Sequence, residues 1–314
     1  MTQGKRRDHP GKRYPSKLSA KSTGRPKSGS FARSRHGQVM AETADEAAGI
    51  PARETPQSGK DRFWLYGWHA VTAALRNPVR KKYRLLATEG NVKSLTEQFP
   101  GHKAQLEIVD TARINSILPA GAVHQGLALL TQPLPELPLE QVCAPRDGAE
   151  PRMVVVLDQV TDPHNAGAIL RSCAAFGASA LIFTGHHAPP STGVLAKAAS
   201  GALELTPILR VSNLARTLEQ LAAMGFWLVG LDSEAPQPVS EIDLSGNIAI
   251  VLGAEGGGLR QLTTRKCDFL ARLPTRSKLA SLNVSNAAAI ILYEAARRRA
   301  NAVTQQHADR TSSP

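Results

Sequence analysis

Three stretches of the sequence hold residues whose types and spacing could do chemistry. The first is Asp158-Gln-Val-Thr-Asp-Pro-His-Asn165-Ala-Gly167-Ala-Ile-Leu-Arg171. Asn165 can bind a backbone or substrate group, and Gly167 lets another backbone approach closely. Arg171 follows under two helical turns later, so it can share roughly the same helix end. Its planar guanidinium suits a phosphate. The alternative is an interface ion pair for Arg171 and a helix cap for Asn165. The second stretch is Ile250-Val-Leu-Gly253-Ala-Glu255-Gly256-Gly257-Gly258-Leu259, a strand, a glycine loop and a helix start. It lacks the Gly-x-Gly-x-x-Gly dinucleotide pattern, and no Lys-Ser/Thr closes it as a phosphate loop. Glu255 would repel phosphates, so a ligand with a cationic centre fits better. The third stretch is Leu273-Pro-Thr-Arg-Ser-Lys-Leu-Ala-Ser281-Leu282-Asn283-Val-Ser285. Here Pro274 breaks a strand end, and a basic loop carries Ser281 and Asn283 into a helix that starts near Ser285.

The elements that must position these residues are an alternation of strands and helices. Met153–Leu157 and Asn247–Leu252 are apolar, β-branched-rich runs of the kind buried on both sheet faces. Further strands are predicted over 180–183, 204–209, 226–231 and 268–273, with helices over 165–176, 194–200, 214–224 and 258–266. The last helix, apolar nearly all round from Ala287 to Ala296, is expected to be buried. This βαβα rhythm predicts an α/β domain with a largely parallel sheet, whose ligands bind beyond the carboxyl ends of the strands. All three stretches lie at such ends. Before it, residues 63–132 read as a small mixed sheet with helices, the helices over 66–75, 92–99 and 111–118 and the strands over 83–88, 105–109 and 127–131. His69 and His124 read there as structural. Pro133-Leu-Pro-Glu-Leu-Pro138 is a stiff linker signal.

The formal charge of the 314-residue chain is +12, and eleven Lys/Arg against one Asp within residues 1–38 account for nearly all of it. Sparse hydrophobics over residues 1–60 predict disorder. Their one-signed charge suits a flexible arm on nucleic-acid phosphates. No apolar run approaches a membrane span, and no secretory signal opens the chain. Cys143, Cys173 and Cys267 are too scattered for a disulfide framework, which fits a reducing cytoplasm. His186-His187 has no third ligand nearby in sequence and reads as a solvent loop rather than a metal site.

In combination, Asn-x-Gly-x-x-x-Arg, Gly-x-Glu-Gly-x-Gly-Leu and Ser-Leu-Asn-Val-Ser resemble the SpoU/TrmH family of RNA ribose 2′-O-methyltransferases, over roughly residues 63–300. Tyr66-Gly and His124-Gln-Gly resemble the family's small L30e-like substrate-binding domain. The resemblance implies an α/β fold with a deep C-terminal trefoil knot, a homodimer, S-adenosyl-L-methionine as cofactor and RNA as substrate, rRNA ahead of tRNA. With the composition of the flanking stretches, it divides the chain into a disordered basic tail (1–60), an L30e-like domain (61–132), a linker (133–151), the methyltransferase domain (152–302) and a disordered C-terminal tail (303–314). It also implies cofactor contacts at Gly253, Leu273 and Leu282, with Pro274 and Gly256 shaping the loops, and active-site positions at Asn165, Arg171, Glu255, Ser281 and Asn283. An arginine is a poor base, so Arg171 is expected to clamp a phosphate and orient the hydroxyl. Thr275, Ser277 and Asn286 depart from the family's usual residues, and Arg276 and Lys278 make the third loop basic.

Overall fold

The computed structural model describes residues 62–144, 150–184, 193–276 and 282–311. The expected tail over 1–60, His186, His187, Ser277, Lys278 and Ser281 lie outside the described residues. The front part comprises β1 (Phe63–Tyr66), α1 (Trp68–Arg76), β2 (Lys82–Ala87), α2 (Glu89–Gln98), β3 (Gln105–Ile108), α3 (Thr111–Ile117) and β4 (Leu127–Thr131). Its sheet order is β1-β4-β2-β3, antiparallel except between β2 and β3. Strand β1 was not expected. Its Phe-Trp-Leu-Tyr run is short, but aromatics suit a pleated surface, and it pairs with β4 from Phe63 opposite Thr131.

A short helix α4 (Leu139–Cys143) lies within the stretch read as a linker. The second part then runs β5 (Met153–Asp158), α5 (Pro163–Ala175), β6 (Ala180–Thr184), α6 (Gly193–Ala199), β7 (Ile208–Val211), α7 (Leu214–Ala223), β8 (Trp227–Leu231), β9 (Gln237–Pro238), β10 (Ile248–Gly253), α8 (Gln261–Lys266), β11 (Phe269–Arg272) and α9 (Val284–Thr311). The seven strands lie in the order β7-β6-β5-β10-β8-β11-β9, all parallel. Strand alternation sorts their side chains. Val154, Val156, Ile182 and Val251 pack with Leu214, Leu218 and Leu221 of α7. Met153, Val155, Leu157 and Ile250 face α5, α6 and α9, in a core that continues into Leu85 and Leu129 of the front sheet. Both faces of β5 and β10 are therefore covered, as their unbroken apolar runs require.

Helices α5 and α6 touch closely because Gly167 has no side chain: a Cβ there would stand 2.6 Å from the Leu195 carbonyl oxygen. The front part is also tied to the second by a buried ion pair, Arg80 to Glu204 at 2.5 Å, with the two side chains 1% and 4% exposed. Asn77 donates to the same carboxylate at 2.6 Å.

Four expectations need correction. The strand read over 204–209 is a 3-10 turn at Ala202–Glu204 followed by β7; Pro207 can donate no ladder bond, and pairing starts after it. Helix α8 begins at Gln261, not Gly258, because Gly258 N–H first closes a turn onto the Ala254 carbonyl at 2.9 Å. The start of α9 is held by Asn283 rather than Ser285: Asn283 Oδ1 accepts from Ser285 N–H at 2.8 Å, and its carbonyl accepts from Ala287 N–H at 3.0 Å. Finally, α9 is not buried all round and extends to Thr311, over most of the expected C-terminal tail. Ala288, Ile291, Leu292 and Ala295 are buried, but Ile290 and Tyr293 are 45% and 55% exposed.

Candidate functional site

The carboxyl ends of β8, β10 and β11 open onto a cavity of about 530 Å³, within the range of small-molecule sites. Its walls include Leu231, Asp232, Leu252, Gly253, Glu255, Gly256, Leu273, Leu282 and Asn283. The loop after β10 turns tightly here. A Cβ at Gly253 would stand 2.1 Å from the Gly258 carbonyl carbon, so only glycine fits.

At one edge of the cavity three side chains meet. Asn165 Nδ2 donates to Glu255 Oε1 at 3.0 Å. Asn283 Nδ2 donates to the same oxygen at 2.6 Å and to Asn165 Oδ1 at 3.0 Å. Val284 N–H, at the start of α9, also points to Glu255 Oε1, at 3.4 Å. Each member comes from a different turn. Asn165 sits in the first turn of α5, whose N-terminus is capped by Asp162, accepting from His164 and Asn165 N–H. Glu255 sits in the glycine loop, and Asn283 just before α9.

Beneath the glycine loop, Asp158 at the end of β5 is fully buried. It accepts from Arg260 N–H at 3.2 Å, Arg260 Nε at 2.6 Å and Thr263 Oγ1 at 2.6 Å. Three donors compensate the burial of this charge, and they fix the start of α8, hence the far end of the loop. Asp158 also lies directly opposite Gly253 in the β5–β10 register.

Of the expected site residues, the structure brings together Asn165, Glu255 and Asn283, and places Gly253, Gly256, Leu273 and Leu282 on the cavity wall. Pro274 is exposed and does not line the cavity. Arg171 is not at the same helix end as Asn165. It lies about 1.7 turns on and about 120° around α5, exposed and not hydrogen-bonded to a described residue. Sequence reasoning missed Asp232 and Ser233, which line the cavity beyond β8; the rule that ligands sit beyond parallel strand ends could have found them, since β8 was predicted. Among the described residues, no group of three or more His, Cys, Asp or Glu is placed to hold a metal ion, and no helix is long and apolar enough to cross a membrane.

Comparison with known proteins places the chain in a family. Residues 152–293 match the SpoU rRNA Methylase family, and residues 64–137 match the RNA 2'-O ribose methyltransferase substrate binding family. The chain is 40% identical over 240 residues, 75% of its own length and 95% of the relative's, to the 23S rRNA (guanosine-2'-O-)-methyltransferase RlmB of Coxiella burnetii. To the enzyme of that name from Pseudomonas aeruginosa it is 39% identical, over 75% of this chain and 96% of the relative. A crystal structure of an AdoMet-bound rRNA methyltransferase from Sinorhizobium meliloti superimposes with a TM-score of 0.65 at 26% identity, covering 76% of this chain and 88% of that one. With matches over both parts of the fold and relatives covered almost end to end, the chain belongs to the SpoU rRNA Methylase family.

Proposed function

We propose that this protein is an S-adenosylmethionine-dependent RNA ribose 2′-O-methyltransferase acting on a guanosine of 23S rRNA. The observation that carries the reading is the cavity at the edge of the Asn165–Glu255–Asn283 triangle. Among the described residues, its lining joins leucines, which suit an adenine face, to Asp232 and Glu255, with no Lys, Arg or His. That donor set fits a nucleoside bearing positive charge and disfavours a phosphate-bearing one. Gly253, Gly256, Leu273 and Leu282 would hold the cofactor, with Pro274 shaping the loop behind them. When bound, the cofactor supplies an electrophilic methyl group.

The residues of this chain position and exclude. A ribose hydroxyl is a weak nucleophile until its proton leaves, so the main task is alignment and a path for that proton. Asn165, Glu255 and Asn283 lock three turns into one rigid rim. Ser281 bonds substrate or cofactor. Arg171 clamps a substrate phosphate and orients the hydroxyl.

Because Arg171 is away from the cavity of its own chain, the reading includes a homodimer. The exposed Ile290 and Tyr293 of α9 support it. A dimer over this face would carry Arg171 toward the cavity of a second copy. The trefoil-knotted C-terminal path and a cytoplasmic location belong to the same proposal.

The test is transfer of labelled methyl groups from S-adenosylmethionine to 23S rRNA transcripts, followed by mapping of ribose methylation. The expected product is a 2′-O-methylated guanosine whose 3′ linkage resists alkali. Methyl incorporation into bases alone, or none, would overturn the reading.

A further inference from the structure

The two carboxylates of the cavity are not equivalent. Glu255 Oε1 is engaged by three donors, from Asn165, Asn283 and Val284. Asp232 receives one hydrogen bond, from Glu234 N–H to Oδ1 at 2.9 Å, and its Oδ2 has no hydrogen-bond partner among the described residues. Its backbone is fixed, with the N–H donated to the Ala271 carbonyl at 2.9 Å and the carbonyl accepting from Ala235 N–H at 3.2 Å. Among the described residues, the neighbouring cations do not neutralise it. Arg272 Nη1 is spent on the carbonyl oxygens of Ala235 and Pro236, Arg276 is exposed, and neither lines the cavity. Among the described residues, Asp232 is therefore the larger uncompensated negative charge lining the cavity.

We propose that Asp232 is a binding residue that makes the cavity prefer the cationic methyl donor over its uncharged product. The proposal rests on the cavity holding S-adenosylmethionine. In the transfer, the ribose oxygen–methyl bond forms and the sulfur–methyl bond breaks. The electron pair of the broken bond stays on sulfur, which changes from a sulfonium to a neutral thioether, and the hydroxyl proton leaves to a base. A fixed carboxylate attracts the ligand's sulfur before the reaction and loses that attraction afterwards. Binding that weakens when the chemistry is complete favours product departure, and departure commonly limits turnover.

The test is calorimetry on the full chain, wild type and Asp232→Asn, with S-adenosylmethionine and S-adenosylhomocysteine at low salt. The asparagine keeps the acceptor for Glu234 N–H, so the turn is preserved. The expected result is a loss of donor affinity of about tenfold, with product affinity moved less than about twofold. Asp232→Glu should recover part of the preference. Equal weakening of both ligands would place Asp232 on a group they share and overturn the selectivity. Unchanged affinities would overturn any part for Asp232. Wild-type protein that binds neither ligand would overturn the cofactor reading itself, and this proposal with it.

Discussion

Asn283 donates to Asn165 Oδ1 at 3.0 Å across 118 positions of chain. The same amide nitrogen gives its second hydrogen to Glu255, and Asn283 Oδ1 takes Ser285 N–H and Oγ. Every polar valence of the Asn283 side chain is thus used to join α5, the glycine loop and α9. The rim is a closed hydrogen-bonded triangle with Glu255 as one corner.

Glu255→Ala should separate rigidity from stability. Glu255 is exposed, so water can replace its bonds, and the loss of stability should be about 1 kcal/mol. Misplacing the turns should still cost about a hundredfold in kcat. Thermal melting beside single-turnover methyl transfer checks both. A variant with wild-type turnover would remove the triangle from catalysis.

Arg171→Ala should abolish methyl transfer while leaving S-adenosylmethionine affinity nearly intact. If copies share sites, mixing Arg171→Ala with Glu255→Gln protein, each inactive alone, should restore about a quarter of wild-type activity by random assortment into dimers. Sedimentation of each variant, run beside the assay, verifies that both still dimerise. Mixed dimers without activity would confine Arg171 to its own chain.

Gly253→Ala should cost about 2 kcal/mol or more, since its Cβ would press on the fixed backbone of Gly258. Cofactor binding should fall with it. Gly257→Ala is the control, because a Cβ there meets nothing within 4 Å. Melting curves and calorimetry on the pair should separate them clearly.

His124 should make stability depend on pH. It is buried, its Nδ1 accepts from Gly126 N–H at 3.0 Å, and Nε2 is therefore free to donate to Asn115 Oδ1 at 3.1 Å. Burial first, and the charge of Lys197 second, hold the ring below the usual histidine range. The unfolded chain then binds the proton more readily, so this contribution is full above about pH 6.5 and is lost as pH falls below it. The melting temperature should drop more between pH 7 and pH 5 in wild type than in His124→Gln. Parallel slopes would show that the ring does not titrate with unfolding.

Deleting residues 1–60 should weaken RNA binding and flatten its salt dependence without unfolding the body, because these residues hold most of the net charge. Filter binding across a salt series measures the slope. An unchanged slope would make the segment a bystander.

How legible these features were in the sequence depended on where their causes lie. Met153–Asp158 and Ile248–Gly253 could be read as strands because burial on both faces demands unbroken apolar runs. Asn165, Glu255 and Asn283 could be grouped because their three motifs together resemble one family; each turn taken alone read as a cap or a glycine loop. Asp232 stands alone after a strand, in no motif, and only its place at a parallel strand's carboxyl end marks it. The exposed face of α9 was hidden for a related reason: Ile290 and Tyr293 are as apolar as Ile291 and Leu292, and only the neighbours packed around the helix decide which of them water reaches. The cap went to Asn283 over Ser285 because the loop's hydrogen bonds, not residue preference, set where the helix begins.

Since Asn283 supplies the last corner of the rim, the site has an order of birth. Asn165 and Glu255 leave the ribosome first and can bond only to each other. A growing chain therefore acquires its binding pocket only when the terminal helix emerges and docks. Unfinished copies of the protein would be mute toward the methyl donor, however much of the sheet they had already formed.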